Sequence, residues 1–373
     1  MNGQWVGHYA GAQPGYVRAN FDDVGDHYSA AIYLTPQDQT HPTTLLLFRT
    51  ANKAPSFTLG APQVEVAVVD PATGAPARRQ QASTLYPTLT VPSFEATVSF
   101  NDNTKQLQWT TNIGNSAAAD LTVTGWMPSA LSSTPCTWEE FKGHLNTMQR
   151  GRYVFRGQTG QQRVRTTYHR AGRANLIRYM TEDVPRLHKR LTALTRHVFN
   201  LGVPDEYGAF LNLVRHHGYP TPLLDWTQSP YVAAFFAYRS VTRAMLASAT
   251  AASRVRILCF DRTEWERQFS QFQRIEDRAP HLSFIEFIAI DNERTIAQQA
   301  VSSVTNIDDI ETAIQRLEGA YSRTFLRAFD LSMKERPVVF EELRYMNITA
   351  GSLFPGIDGA CEEMRERMFP YQP

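Results

Sequence analysis

Two textures of hydrophobic patterning divide the chain. Over residues 1–126, apolar and polar positions alternate in short runs rich in β-branched and aromatic residues, at 4–9, 17–21, 28–34, 43–48, 64–69, 96–100, 107–110 and 121–126. Between them stand breakers such as Ala12-Gln13-Pro14-Gly15, Asp70-Pro71-Ala72-Thr73-Gly74 and Asn101-Asp102-Asn103-Thr104. A period of two interrupted by turn residues is the pattern of strands. Strands at this spacing predict an all-β barrel or sandwich over 1–126. A barrel either holds a small ligand or fills with side chains, so this domain is expected to sense a ligand or a protein partner.

Residues 127–135, Met-Pro-Ser-Ala-Leu-Ser-Ser-Thr-Pro, have the small, polar, proline-flanked composition of a linker. Beyond them the pattern is mixed α/β over 136–373. Thr137 is placed to cap a helix whose first turn carries Glu139 and Glu140, favourable to the helix dipole. Strands are predicted at 153–156, 255–260 and 284–290, and helices at 184–200, 205–216, 230–250, 307–317 and 336–345. The expected fold class is α+β: an N-terminal all-β barrel or sandwich followed by a mixed α/β domain.

Composition narrows the class. The 373 residues are 42% hydrophobic, which is too apolar for a disordered chain. Cys136, Cys259 and Cys361 are far apart and form no CxxC or Cys/His cluster, so neither a metal site nor a disulfide framework is expected. Residues 1–11 lack the basic and apolar regions of a secretion signal, and no apolar run approaches the roughly 20 residues of a membrane span. The expectation is a cytoplasmic protein with no membrane contact. The net charge of +1 hides a strong asymmetry. Residues 1–135 hold six basic and nine acidic side chains, whereas 142–196 hold thirteen basic ones, eleven of them arginine, against Glu182 and Asp183. Such a block is either a face that pairs with acidic parts of the same chain or a surface for nucleic acid.

Two stretches carry candidate chemistry. Tyr153-Val154-Phe155-Arg156-Gly157-Gln158 is an apolar strand ending in an arginine, then a residue without a Cβ, which lets a guanidinium and the backbone approach an oxyanion. From Arg215-His216-His217-Gly218 through Leu224-Asp225-Trp226-Thr227-Gln228-Ser229-Pro230, a helix ends at Gly218 and another begins with Ser229 as its cap and Pro230 at its first position. The turn between them concentrates His216, Asp225, Trp226, Thr227 and Ser229. Trp226 offers a stacking face, Thr227 a hydroxyl, and His216 a general base near neutral pH. These groups exceed what capping two helices needs.

With these residues in view, the C-terminal region resembles the FRG-domain family, named for its Phe/Tyr-Arg-Gly motif. The resemblance begins at Phe155-Arg156-Gly157 and continues through His-x-Gly-x-Pro-Thr-x-Leu-Leu-Asp-Trp-Thr-x-Ser-Pro at 216–230. Asn292-Glu293-Arg294 with Gln298-Gln299 is similar to the family's Asn-x-Arg…Gln-Gln segment, and Leu353-Phe354-Pro355-Gly356-Ile357-Asp358-Gly359 to its closing segment. The pattern departs from the family at Pro222, where an arginine is usual, and at Ala300, where a glycine is usual.

The motif order resembles that of ADP-ribosyltransferases, and the resemblance implies an NAD⁺ site. Phe155, Arg156, Gly157 and Gln158 would hold the diphosphate or ribose, with Trp226, Thr227 and Ser229 lining the nicotinamide side. Arg156, His216, Asp225, Thr227, Gln298 and Gln299 are the implied catalytic set. The late position carries Gln298-Gln299 and no carboxylate, so Asp225 or Glu293 must supply the charge that stabilises an oxocarbenium-like cation, or the site binds a nucleotide without turning it over. FRG proteins resemble bacterial toxin or phage-defence components, which implies an effector regulated by its β-domain. The alternative is a non-catalytic module binding a nucleotide or, through 142–196, nucleic acid. Catalysis requires that Arg156 and the Asp225–Ser229 turn share one cleft.

Overall fold

Most of the alternating runs pair with close neighbours along the chain to build one antiparallel sheet. A computed structural model describes residues 1–369 other than 12, 39, 78, 88–92, 114–115, 124–127, 273–274 and 276–278. The end of the strand expected at 121–126 and the first linker residue lie outside the described residues. The N-terminal strands are β1 (Gly3–Tyr9), β2 (Gly15–Asp23), β3 (Tyr28–Pro36), β4 (Thr44–Arg49), β5 (Ser56–Leu59), β6 (Glu65–Val69), β7 (Pro76–Ala77), β8 (Ala96–Asn101), β9 (Gln106–Thr111), β10 (Ser116–Asp120) and β11 (Thr122–Val123). Their order is β5-β8-β9-β10-β1-β2-β3-β4-β6-β7, with β11 beside β1.

One face of this sheet rolls around a core that includes Trp5, Phe21, Ile32, Phe48, Phe100 and Trp109. Phe57 on β5 lies 5.3 Å from Phe48 on β4, ring centre to ring centre, so the two flanks approach across the core. Among the described residues they do not join: the hydrogen-bonded path ends at β5 and β7, so of the expected barrel or sandwich no closed barrel is found, and the sheet is open and rolled. The reason is local: β7 is two residues long and buries Ala77 against Ala82 of the helix Arg79–Leu85 instead of offering an edge to β5.

The second sheet comprises β12 (Ser133–Cys136), β13 (Tyr153–Gln158), β14 (Leu223–Thr227), β15 (Arg254–Asp261), β16 (Leu282–Ile285), β17 (Ala300–Thr305) and β18 (Leu326–Ser332). Its order is β12-β18-β15-β13-β14-β17-β16, parallel only between β12 and β18. One face packs Phe155, Ile257 and Phe329 beneath the helices Pro230–Arg239 and Arg336–Tyr345. The other encloses Val154, Leu224, Trp226, Leu258 and Phe260. The segment expected as a linker is docked on this domain. Residues 133–135 belong to β12, Leu131 is in the core, and the Ser129 hydroxyl accepts from Arg256 Nη1 at 2.7 Å and donates to Glu311 Oε2 at 3.0 Å. The helix expected over 230–250 stops at Arg239 because Thr242 caps a new one, Arg243–Ala247. The helix expected over 184–200 runs Val184–Leu191 only, and the strand expected over 284–290 is Leu282–Ile285.

The outer face of β1 and β2 is polar, Gln4, Arg18, Asn20 and Asp22, and all four side chains are buried. They are covered by the segment 165–175 and by residues 306–308 of the second domain. Arg165 pairs with Asp308, Nη2 to Oδ2 at 2.6 Å, and also donates to the His169 carbonyl. Burial pushes the His169 imidazole down to about 4, with Asp308 opposing and Arg165 adding to the shift. No helix among the described residues is long and apolar enough to cross a membrane.

The His169 shift makes stability depend on pH. An unfolded chain takes up the proton near pH 6.5, the folded protein only near 4, so the unfolded state binds more protons between these values and stability falls as pH drops through them. Urea unfolding at pH 7 and pH 4.5 is expected to show a loss of about 2–3 kcal/mol from this group, a loss that His169→Gln removes.

Candidate functional site

The second sheet opens between two adjacent strands. β13 is paired along its whole length with β15, and β14 along its whole length with β17, yet β13 and β14 pair only at Phe155 and Thr227. Each strand is held by its outer neighbour, so the two diverge as a wedge. Arg156 reaches across it, and its Nη1 donates to the Asp225 carbonyl oxygen at 2.6 Å. The carboxylate of Asp225 takes Nη2 of Arg215 at 2.7 Å, from the last turn of the helix Pro204–His216. Arg170, the last residue of the helix Thr167–Arg170, is exposed and lies within electrostatic reach of Arg156, Arg215 and Asp225.

One guanidinium, Arg215, therefore pairs with the Asp225 carboxylate, Arg156 holds the carbonyl of the same residue, and Arg170 lies within electrostatic range of both. Burial pulls Arg156 down to about 10, with Asp225 opposing and Arg215 and Arg170 adding to the fall. Partial desolvation, with Arg215 adding to it, also lowers Arg170, whose side chain keeps an exposed part. The Nε atoms of Arg156 and Arg215, and Oδ1 of Asp225, are buried without hydrogen-bond partners. A surplus of positive charge with unsatisfied N–H donors is the arrangement that favours an oxyanion.

The other sequence-predicted residues divide by face. Phe155 and Gly157 point away from the wedge, Phe155 into the core beneath the helix Pro230–Arg239. A Cβ on Gly157 would stand 2.0 Å from the Ala233 carbonyl oxygen and 2.5 Å from the Ala237 nitrogen, so this glycine lets strand and helix touch. Gln158 has its Oε1 buried without a partner. The Trp226 ring is 2% exposed, 5.5 Å from Phe260 and 6.0 Å from Phe284, and its Nε1 donates to Ser303 Oγ at 2.9 Å. Its stacking face is enclosed in the core. Thr227 Oγ1 donates to the Gln298 carbonyl at 2.7 Å and accepts from the Ser229 nitrogen at 3.0 Å, while Ser229 Oγ caps the helix Pro230–Arg239. Gln298 Nε2 donates to the Leu353 carbonyl at 2.9 Å, and Gln299 is exposed with φ of 47°. Thr227, Ser229 and Gln298 thus form a braced corner next to the wedge.

His216 links the wedge to a cavity. Its Nδ1 lies 2.9 Å from Asn292 Oδ1, its carbonyl accepts from Arg294 Nη1 at 2.6 Å, and burial lowers its pKa, with Asp225 opposing. Beyond it a cavity of about 880 Å³ is lined by residues from 187–196, 213–214, 217–220, 291–294 and Pro355, which include Asn292 and Arg294 but none of Arg156, Arg170, Arg215 and Asp225. Parts of the three motif segments at 216–230, 292–299 and 353–359, distant in sequence, rim this one space. Two acidic side chains line it. Asp291 accepts from the backbone of Arg196 and His197, whereas Glu293 is exposed. Glu286 is turned to Arg262 at 2.9 Å.

Sequence reasoning missed Arg170 and Arg215 as site residues. Arg170 was one of thirteen cations in the basic block, and nothing in its spacing marks it. Six of the thirteen are spent internally: Lys142 on Glu342, Arg152 on Asp261, Arg163 on Asp309, Arg165 on Asp308, Arg173 on Asp22 and Arg178 on Glu182. Arg186, Lys189, Arg190 and Arg196 are exposed.

The comparisons with known proteins agree with this geometry. The family model of the FRG domain matches residues 151–245, so the C-terminal part of the chain carries an FRG domain. That span holds Arg156, Arg170, Arg215 and the Asp225–Ser229 turn. No curated protein and no solved structure matches the chain.

The packing of Gly157 yields a test of its role. Gly157→Ala forces the helix Pro230–Arg239 off the sheet and is expected to cost about 2–3 kcal/mol in urea unfolding, whereas a residue that only contacts ligand would leave stability within about 0.5 kcal/mol.

Proposed function

We propose that the FRG domain of this chain binds NAD⁺ or a related nucleotide through its phosphates at Arg156, Arg170 and Arg215, and transfers ADP-ribose from it or cleaves it. The observation that carries this reading is the pair of guanidiniums, Arg156 and Arg215, held on Asp225 with buried N–H groups left without partners. A cavity of about 880 Å³, lined by the Asn292 and Arg294 that hold His216, lies within the size range of small-molecule and cofactor sites, about 300–1,000 Å³.

In the proposed reaction the bond between ribose C1′ and the nicotinamide nitrogen breaks, and nicotinamide leaves with the electron pair. The resulting oxocarbenium-like cation is captured by water or by an acceptor oxygen. Glu293, exposed at the cavity, supplies the stabilising carboxylate, since Asp225 is already paired with Arg215. His216 stays neutral near pH 7. With Nδ1 directed at Asn292, its Nε2 is the acceptor for the proton released by the attacking oxygen. Gln298, tied to Leu353, braces Thr227. Such an activity suits an effector of the toxin or phage-defence kind, with the N-terminal sheet as its regulatory part.

A second reading is a binding module without turnover, favoured by the absence of a carboxylate at Gln298-Gln299 and by the engagement of Asp225. Incubation with labelled NAD⁺ and calorimetry with ADP-ribose separate the two. The transferase reading expects nicotinamide release or label transfer, reduced about 100-fold or more by Arg156→Ala and by Glu293→Gln, with Glu293→Gln still binding ADP-ribose. Binding of ADP-ribose without any release of nicotinamide supports the binding module, and neither binding nor release overturns both.

A further inference from the structure

The ion pairs inside the basic block leave a group of its cations free at one wall of the large cavity. Arg186, Lys189 and Arg190 on the helix Val184–Leu191, and Arg196 just after it, are exposed, and none has an ion-pair partner among the described residues. Acidic side chains nearby in sequence are committed elsewhere. Asp183 takes Arg173 at 2.6 Å, Glu182 takes Arg178 at 3.2 Å, and Glu206 lies 2.9 Å from His197. The helix presents two adjacent rows. Leu187 and Leu191, one turn apart, line the cavity, as do Leu194, Thr195 and Arg196 beyond the helix end. Arg186 and Arg190 each stand one position before those leucines, so their row runs beside the cavity wall. The carboxylates that line the cavity are Asp291, tied to the Arg196 and His197 nitrogens at 3.2 and 3.3 Å, and Glu293, the one the proposed reaction uses.

Four cations without counter-ions, strung along 186–196 on a segment that is itself a wall of the cavity, fit a chain of phosphates better than one small anion. Their charge is met by a partner that carries negative charge at intervals and releases its own counter-ions on binding. A duplex keeps its bases stacked and out of reach of a cavity. A single strand can lay its backbone along the basic row and turn a base or sugar over Leu187 and Leu191. Leu194, at the same wall and 77% exposed, offers an apolar side chain for a base to lie against. We propose that this wall binds single-stranded nucleic acid through Arg186, Lys189, Arg190 and Arg196, and that the strand is the acceptor of the ADP-ribose. The acceptor role rests on the nucleotide reading above, whereas the binding does not. In the transfer, an N–H or O–H group of the strand bonds to ribose C1′, its proton passes to His216 Nε2, and nicotinamide leaves with the electron pair of the broken bond.

Fluorescence anisotropy on the full chain, with labelled mixed-sequence single strands of RNA and of DNA, tests the binding. Each phosphate neutralised on a single strand adds about −0.7 to the slope of log affinity against log salt, so four contacts predict a loss of about 50-fold between about 50 and 200 mM salt. Changing all four residues, Arg186→Gln, Lys189→Gln, Arg190→Gln and Arg196→Gln, is expected to remove most of that slope and to weaken binding about tenfold or more at low salt. A control with the same charge change at other exposed positions, Arg150→Gln, Arg243→Gln, Arg327→Gln and Arg365→Gln, should bind as the wild type does. Binding of either RNA or DNA with this pattern upholds the site. No binding by the wild type, an equal loss in the control, equal affinity for the matching duplex, or binding to anionic lipid vesicles in place of the strands overturns it. Labelled NAD⁺ then tests the acceptor role: label is expected on the bound strand, and nicotinamide release with none on the strand overturns that role. Strand binding with neither ADP-ribose binding nor nicotinamide release means that the nucleotide reading has failed, and the acceptor role with it, while the strand site stands.

Discussion

A charged side chain bridging a gap in a sheet is the constraint from which the rest of the site follows. β13 and β14 are each committed to an outer partner, so the wedge between them cannot close, and Arg156 fills it by donating to the Asp225 carbonyl. Withdrawing a guanidinium from water is costly unless its donors are met. Here the neighbourhood supplies one carboxylate and two further guanidiniums, so the demand for negative charge is left open. Nothing on the chain meets it: the nearby glutamine is tied to Leu353, and Glu293 stands at the cavity beyond His216.

The same principle explains the basic block. Thirteen cations in a short stretch look like a surface for a polyanion, but six are neutralised by acidic residues, including Asp22 from the N-terminal sheet and Asp308 and Asp309 from the segment after β17. The charge asymmetry of the chain is in part an internal complementarity. It joins the two domains and orders the loops that carry Arg165, Arg170 and Arg173. What remains positive after that pairing is Arg150, the wedge and the exposed side chains around the helix Val184–Leu191.

Much of the fold was readable in local patterns, because those patterns report on burial. Period-two alternation located most of β1–β4, β6, β8 and β9, and Thr137 and Ser229 cap helices as their positions suggest. β5 and β10 escaped notice, since Ser56–Leu59 is only four residues long and Ser116–Asp120 carries no large apolar residue. Sheet closure was not readable at all. It depends on whether two distant edges meet, and the helix after β7 occupies one of them. The Asp225 motif showed where chemistry concentrates, but alternation alone could not say that Trp226 faces the core while the Asp225 carbonyl faces Arg156, because β14 borders a gap where normal pairing stops.

The amino-acid sequence by itself determined the division into a β-rich part and a mixed α/β part, the capped helices, and the clustering of Arg156, His216, Asp225 and Thr227 in a few recurring motifs. These follow from short-range physics: backbone preference, side-chain alternation and capping. Only the tertiary structure decided which arginines are neutralised and which are left with an open charge. That choice depends on contacts between residues up to hundreds of positions apart. Asp22 consumes Arg173 while Arg170, three residues away, is left exposed.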